Sequence, residues 1–225
     1  MAEKHDFSSK NGHSHEHSEQ SGMKTLTEVR EQLTEVFSAL PHPVTILLFA
    51  QKENTEPFSQ AAREITQLLD EISPKITLHE YDISHPMAEE WDITHSPTMV
   101  FGPDTAKIRW MGAPLGEEGR TMVEMITLLS GRKSQLSKGS LKILERIKEP
   151  RQIKLFVSMT CPYCPQQASN AIKAAIEKPD LVSLDIIDIQ ANPDIAEEYS
   201  ALSVPQTYVN EKLIAEGAQP EELFV

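Results

Sequence analysis

Cysteine is nearly absent from this chain of 225 residues: there are two, Cys161 and Cys164. That scarcity excludes a secreted disulfide scaffold, which needs several pairs. It also argues against structural zinc. Such a site takes four ligands, no second cysteine pair exists, and no His-x-x-x-His pair stands nearby. Long apolar runs are missing as well. Nothing approaches the ~20 apolar residues of a membrane span, and the polar first 22 residues hold no apolar core of a secretory signal. Basic residues number 21 against 34 acidic ones, a net charge of −13 that argues against nucleic-acid binding. No Gly-x-Gly-x-x-Gly is present, so the chain is not expected to bind NAD(P)H or FAD itself. What remains is a soluble, cytoplasmic protein without membrane contact or resident cofactor. Its two cysteines read as a catalytic pair in a reducing compartment.

Those cysteines form Cys161-Pro162-Tyr163-Cys164. The apolar run Ile153 to Val157 before them reads as a buried strand. The stretch Ala168 to Ile176 after them is rich in helix formers. The pair therefore falls where a strand turns into a helix. There, unpaired backbone N–H groups and the helix dipole favour a thiolate at Cys161. Pro162, with no N–H to lose, suits the first helical position. Cys164 lies three residues on, on the same face, placed to close a disulfide with Cys161 or to resolve a mixed disulfide formed there. Zinc half-site and two unconnected buried cysteines are the competing readings, and the strand-then-helix context disfavours both.

Residues 1–22 are polar and read as a disordered tail. His13, His15 and His17 alternate within it. Such a tract can chelate Ni²⁺, Zn²⁺ or Cu²⁺, but it reads more simply as a solvated tail. From Leu26 to Leu40 the apolar residues follow helical spacing, and Pro41 and Pro43 end the run. Strands are expected at 44–50 and 76–82, with a helix from about Phe58 to Ile72 between them. A short helix over 86–91, a hairpin pair around Gly102-Pro103-Asp104 and a helix over 117–129 follow. The same order then repeats. Ala88-Glu89-Glu90-Trp91 is echoed 108 residues on by Ala196-Glu197-Glu198-Tyr199, and Pro97 by Pro205. Tyr81-Asp82-Ile83 is echoed 106 residues on by Ile187-Asp188-Ile189, and Gly112-Ala113 after 105 by Gly217-Ala218. Each copy reads α-β-α-β-α-β-β-α. Its first two strands are parallel across a helical crossover and its last two form an antiparallel hairpin. The expected division is a tail over 1–22, one copy over 23–131 and a second over 132–225. The second copy closes on only Gln219 to Val225, so either its final helix is short or the chain is cut from something longer.

The strand into Cys161-Pro162-Tyr163-Cys164, with Val204-Pro205-Gln206-Thr207 some forty residues later, resembles the thioredoxin-fold superfamily. The motif is similar to that of glutaredoxins. Residues 24–225 as a whole resemble the tandem protein disulfide oxidoreductases and the N-terminal domain of the alkyl hydroperoxide reductase flavoprotein. The stretches Phe156 to Pro165 and Gly217 to Glu222 carry most of that likeness.

The resemblance implies an α/β fold of two tandem thioredoxin-like units, each a mixed central sheet with helices on both faces. It implies a cis Pro205, with Val204 pairing with a bound substrate chain and Pro162 and Tyr163 shaping the surface beside the dithiol. It also implies a thiol–disulfide oxidoreductase acting on protein disulfides, with a thioredoxin-reductase-like flavoprotein as electron donor. Its alternatives are a dedicated relay to a peroxiredoxin-type partner, a metal-handling protein and a scaffold with vestigial cysteines. Two departures stand out. The first copy has no cysteine, the dithiol positions mapping near Asn54 and Pro57. Leu155 also stands where thioredoxins carry a buried aspartate. Glu80, on the second strand of the first copy, is the carboxylate to weigh as a proton-transfer helper against a plain exposed strand residue.

Overall fold

The computed structural model of the chain describes residues 15–52 and 56–225. Its first half runs α1 (His15–Ser38), β1 (Val44–Phe49), α2 (Pro57–Ile72), β2 (Ile76–Tyr81), α3 (Pro86–Glu90), β3 (Thr98–Phe101), β4 (Lys107–Met111) and α4 (Glu118–Gly131). The second half repeats that order with α5 (Lys138–Leu144), β5 (Arg151–Val157), α6 (Cys164–Glu177), β6 (Val182–Asp188), α7 (Pro193–Glu198), β7 (Gln206–Val209), β8 (Lys212–Glu216) and α8 (Glu221–Phe224). Within each half the first two strands pair in parallel and the last two form an antiparallel hairpin, as the connection lengths require.

The halves do not keep separate sheets. All strands join one eight-stranded sheet in the order β2-β1-β3-β4-β6-β5-β7-β8. The joint is a parallel pairing of β4 with β6, in which Arg109 stands opposite Asp185. The Arg109 guanidinium donates to both Asp185 oxygens at 2.6 and 2.8 Å and to the Trp91 and Asp92 carbonyls at 2.8 and 3.1 Å. A bidentate fork matched to a carboxylate is the arrangement that can offset the burial of both charges.

The two faces are covered unequally. On one, α1, α2, α4 and α6 lie over a single core that runs through both halves, from Phe37 and Leu69 past Trp110 and Ile126 to Leu155 and Ile186. On the other, two separate clusters sit under α3 and α7, one around Phe49 and Val100 and one around Phe156 and Ile187. Alternation along the strands divides the side chains in this way: Ile46 and Leu48 join the large core, Leu47 and Phe49 the small one.

One element differs from expectation. Helix α1 already includes His15, the first described residue, inside the segment expected to be a disordered tail. Glu16, Glu19, Gln20 and Lys24 are good helix formers and no proline intervenes before Pro41. The apolar spacing that opens at Leu26 therefore marks where an amphipathic pattern starts and not where the helix starts. His13 and Asn54 lie outside the described residues.

Candidate functional site

Strand β5 is buried at Leu155, Phe156 and Val157 and delivers the chain to the sheet end beside β6 and β7. Residues 158–160 then turn it, and the Cys161 N–H donates to the Ser158 carbonyl at 3.0 Å. Cys161 and Cys164 are joined as a disulfide, their Cα atoms 5.5 Å apart. Cys161 is 8% exposed and Cys164 1%, so the first residue is the more open of the two to a partner. The Cys164 N–H points at Cys161 Sγ, 3.1 Å away. An N–H of the first helical turn thus faces this more open sulfur, which favours its thiolate once the disulfide opens.

The sequence placed Pro162 at the first helical position. In the structure α6 starts at Cys164, with Tyr163 as N-cap and Pro165 inside the first turn. Residues 161–163 are a turn, and Pro165 is the proline that uses the helix's tolerance for a missing N–H. Pro162 and Tyr163 are both exposed, Tyr163 at 66%.

Val204-Pro205 is a cis peptide bond, and so is Ser96-Pro97 in the first half. The Val204 carbonyl oxygen lies 3.7 Å from Cys161 Sγ. The Pro205 carbonyl accepts from the Gly217 N–H at 2.8 Å, which ties the loop to the strand after it. Helix α6 holds both loops. Gln167 donates to Thr207 Oγ1 at 2.7 Å and accepts from the Gln219 N–H at 2.7 Å, while Asn170 donates to the Gln219 carbonyl at 2.9 Å. Leu202, 89% exposed, stands beside this loop. The structure therefore brings Cys161, Cys164, Val204 and Pro205 together, with Tyr163 at the rim.

Glu80 is not among them. It forms an ion pair with Arg63 at 2.8 Å on the edge strand β2, five strands from β5 in the sheet order. Two buried carboxyls lie on the elements that flank the dithiol, Glu118 at the start of α4 and Asp188 at the end of β6, and sequence reasoning missed both as titrating groups. Asp188 ends β6 opposite Val157, four residues before Cys161. Its Oδ1 accepts from the Gln190 and Ala191 N–H groups at 2.7 and 3.1 Å, and Oδ2 has no protein partner. Burial raises its pKa despite those bonds.

Glu118 opens α4, just after a close approach in which the Glu117 N–H donates to the Met159 carbonyl at 3.0 Å. A side chain at Gly116, φ +56°, would drive a Cβ to 2.4 Å from that carbonyl oxygen, so this crossing requires glycine. Helices α4 and α6 run parallel: Glu124 meets Ser169 and Lys173, and Ser134 beyond α4 meets Glu177. Carried back to the start of both helices, that register sets Glu118 level with Cys164. Both Glu118 oxygens are buried without a partner. Burial, then the nearby Asp188, raise its pKa from 4.5 to about 9, only partly offset by the Leu115 backbone amide close by. The carboxyl is therefore protonated at neutral pH. Its sequence signal is faint. Glu118 is one of two adjacent glutamates before an apolar helix, and only the tertiary crossing buries it.

A closed Cys-x-x-Cys at a helix start, facing a cis-proline loop at the end of a mixed sheet, defines a thioredoxin-fold protein in which the fold occurs twice. Known proteins bear this out. The thioredoxin domain model matches residues 151–225. A thioredoxin of Methanocaldococcus jannaschii is 35% identical over 74 residues, 33% of this chain and 87% of that protein. The chain belongs to the thioredoxin family. Beyond its second half, it is 25% identical over 194 residues to an alkyl hydroperoxide reductase component of Escherichia coli, 85% of this chain but 35% of that protein. The crystal structure of a protein disulfide oxidoreductase from Aeropyrum pernix superposes with a TM-score of 0.76 at 27% identity, covering 87% of this chain and 88% of that one.

Proposed function

We propose that this chain is a thiol–disulfide oxidoreductase working through Cys161 and Cys164. The observation that carries the reading is the closed pair itself, both residues buried but Cys161 the less so, at the start of α6 and against the Val204-Pro205 loop. That asymmetry favours Cys161 for attack on substrate and Cys164 for resolution. In the reducing direction the Cys161 thiolate attacks a substrate disulfide. A mixed disulfide forms and the first substrate thiolate leaves. Cys164 loses its proton and attacks Cys161 Sγ. The second substrate thiolate leaves, and Cys161–Cys164 is oxidised. Val204 lines the path of the substrate chain, and Pro162, Tyr163 and Leu202 form its rim. Glu118, protonated while the disulfide is closed, holds the proton that the Cys164 sulfur needs when a donor opens the pair, and takes it back when Cys164 attacks. The substrates are protein disulfides, the donor is a flavoprotein, and the compartment is the cytoplasm, where thiols stay reduced.

A second reading has a specific support. Likeness to the alkyl hydroperoxide reductase component spans 85% of the chain, and the first half has kept the fold without cysteines. A relay dedicated to one peroxiredoxin-type partner fits both facts.

Insulin reduction by dithiothreitol separates the two. Turnover that disappears in Cys161→Ser, with Cys164→Ser trapping a covalent mixed disulfide, supports the general reductase. A folded protein whose thiols oxidise reversibly, yet which leaves insulin untouched, supports the relay. Unreactive thiols overturn both.

A further inference from the structure

Gln167 is wholly buried, a neutral amide at the end of the first turn of α6. Both ends of that amide are engaged. Its Nε2 donates to Thr207 Oγ1 and its Oε1 accepts from the Gln219 N–H, each at 2.7 Å. Burying an amide is costly unless its hydrogen bonds are made, and making both fixes where the side chain sits. The two partners reach the Val204-Pro205 loop from different directions. Thr207, on β7, is two residues beyond the cis proline. Gln219 is two residues beyond Gly217, whose N–H donates to the Pro205 carbonyl at 2.8 Å. One side chain thus ties the helix that begins at Cys164 to both supports of the loop that faces Cys161 Sγ.

The first half builds the same loop without this tie. The Gly112 N–H donates to the Pro97 carbonyl at 2.9 Å, as Gly217 does to Pro205. Met99, however, stands opposite Leu48 as Thr207 stands opposite Leu155, and it is buried in the apolar core with no hydroxyl to offer. A cis-proline loop forms there with packing in place of the polar tie. A group needed only to build the fold would be expected in both copies, and this one belongs to the copy with the dithiol.

We infer that Gln167 is a positioning residue. It holds the Val204-Pro205 loop in place against Cys161 and so sets how well a substrate chain docks there, leaving the thiol chemistry itself alone. The inference rests on the oxidoreductase function proposed above, in which Val204 lines the path of that chain. The separation follows from what each group touches. Cys161 Sγ faces the Cys164 N–H at 3.1 Å, whereas Gln167 bonds to Thr207 and Gln219. The Gln219 carbonyl is held separately by Asn170 and Gln166 at 2.9 and 3.2 Å, so losing Gln167 loosens the loop without detaching it.

The test compares a disulfide carried on a protein chain with one that has no chain to dock. Insulin is the first, with dithiothreitol as reductant. The second is bis(2-hydroxyethyl) disulfide, which oxidises pre-reduced protein, freed of dithiothreitol, in a single turnover. Gln167→Met keeps the length of the side chain and removes both bonds. Its KM for insulin should rise about fivefold or more with kcat within about twofold of wild type. Its oxidation by the small disulfide should keep the wild-type rate. Its Gly217 amide should exchange with solvent about tenfold faster or more. Thr207→Val repeats the KM effect in weaker form, and Thr207→Ser, which keeps the hydroxyl, behaves as wild type. Equal losses on both disulfides overturn the inference, since the amide then acts on the dithiol or on the fold. So does a Gly217 amide that exchanges no faster in folded Gln167→Met. If that variant does not fold, the contrast between Thr207→Val and Thr207→Ser decides in its place. The exchange measurement needs no turnover. A wild type inert towards both disulfides overturns the oxidoreductase function, while faster Gly217 exchange in the variant still upholds the positioning role.

Discussion

The two halves set different groups at the same helix start of the same fold. In the first half Glu56 caps α2, its carboxylate accepting from the Ser59 N–H at 3.3 Å. In the second half the residue at that place, Tyr163, makes no side-chain cap, and Cys161 Sγ faces the Cys164 N–H instead. A helix start attracts negative charge in both. One copy satisfies it with a permanent carboxylate and the other with a sulfur whose charge depends on redox state. The repeated aspartate diverges in the same way. Asp82 is half-buried at the surface and accepts from Ser84 Oγ, the Ser84 N–H and the Lys52 N–H, which hold its pKa down at about 2. Asp188 has its own turn bonds but is buried beside Glu118, and its pKa moves up. The fold is thus indifferent to which chemistry it carries. What distinguishes the active copy is the burial that the other copy supplies, because Glu118 belongs to the first half.

If the halves form one unit, the joint between them is where the largest effect lies. Arg109→Met leaves Asp185, 4% exposed at its side chain, as a buried charge without its partner. A loss of about 3–5 kcal/mol is expected, read by urea unfolding. Arg109→Met with Asp185→Leu recovers most of it, because a buried pair replaced by apolar groups of similar size is close to neutral. Tryptophan fluorescence reports on the first half, through Trp91 and Trp110, and Cys164 reactivity in the reduced protein on the second. Both should give one midpoint. Two midpoints would divide the sheet at β4 and β6 and break the comparison.

The second effect is smaller and depends on pH. Below pH 4.5 Glu118 is protonated in folded and unfolded chains alike. Between there and about pH 9 only the unfolded chain loses the proton, so stability falls as pH rises, and above about 9 the fall ends. Glu118→Gln removes that slope. The variant should match wild type at pH 4 and exceed it by about 1 kcal/mol or more at pH 8, as measured by chemical unfolding. Its disulfide should open more slowly with a thiol donor at neutral pH, where wild type still holds the proton. For Asp82 the sign is opposite: its contribution is present above pH 3.8 and lost as pH falls through about 2.

Element order and the cysteine pair were legible because both are local. Apolar periodicity, prolines at helix ends and the echo of Ala88-Glu89-Glu90-Trp91 in Ala196-Glu197-Glu198-Tyr199 need no tertiary knowledge. The fused sheet was not legible. Pairing of β4 with β6 joins residues some 76 positions apart, Arg109 and Asp185, and nothing in either strand advertises the other. Glu118 was missed for the same reason, since its burial is made by the crossing of 115–117 over Met159. Pro162 was misplaced because Pro165 satisfies the same helix-start preference.

The smallest effect tests the contrast between the two helix starts directly. Glu56→Ala removes the carboxylate from the start of α2 and should cost about 1 kcal/mol, the usual loss on removing a helix N-cap. Glu56→Gln keeps an acceptor for the Ser59 N–H and loses only the charge. If charge at the helix start is what the first half relies on in place of a cysteine, the two variants are destabilised alike at low salt and the Gln variant recovers as salt rises. If the hydrogen bond alone matters, Glu56→Gln behaves as wild type throughout. In the second half the corresponding change is redox: opening Cys161–Cys164 creates the anion at the same place. Reduction should then stabilise α6 against hydrogen exchange at its first turn, while Glu56→Ala loosens the first turn of α2. Matching changes of opposite sign would show that one electrostatic site serves both copies, fixed in one and switched in the other.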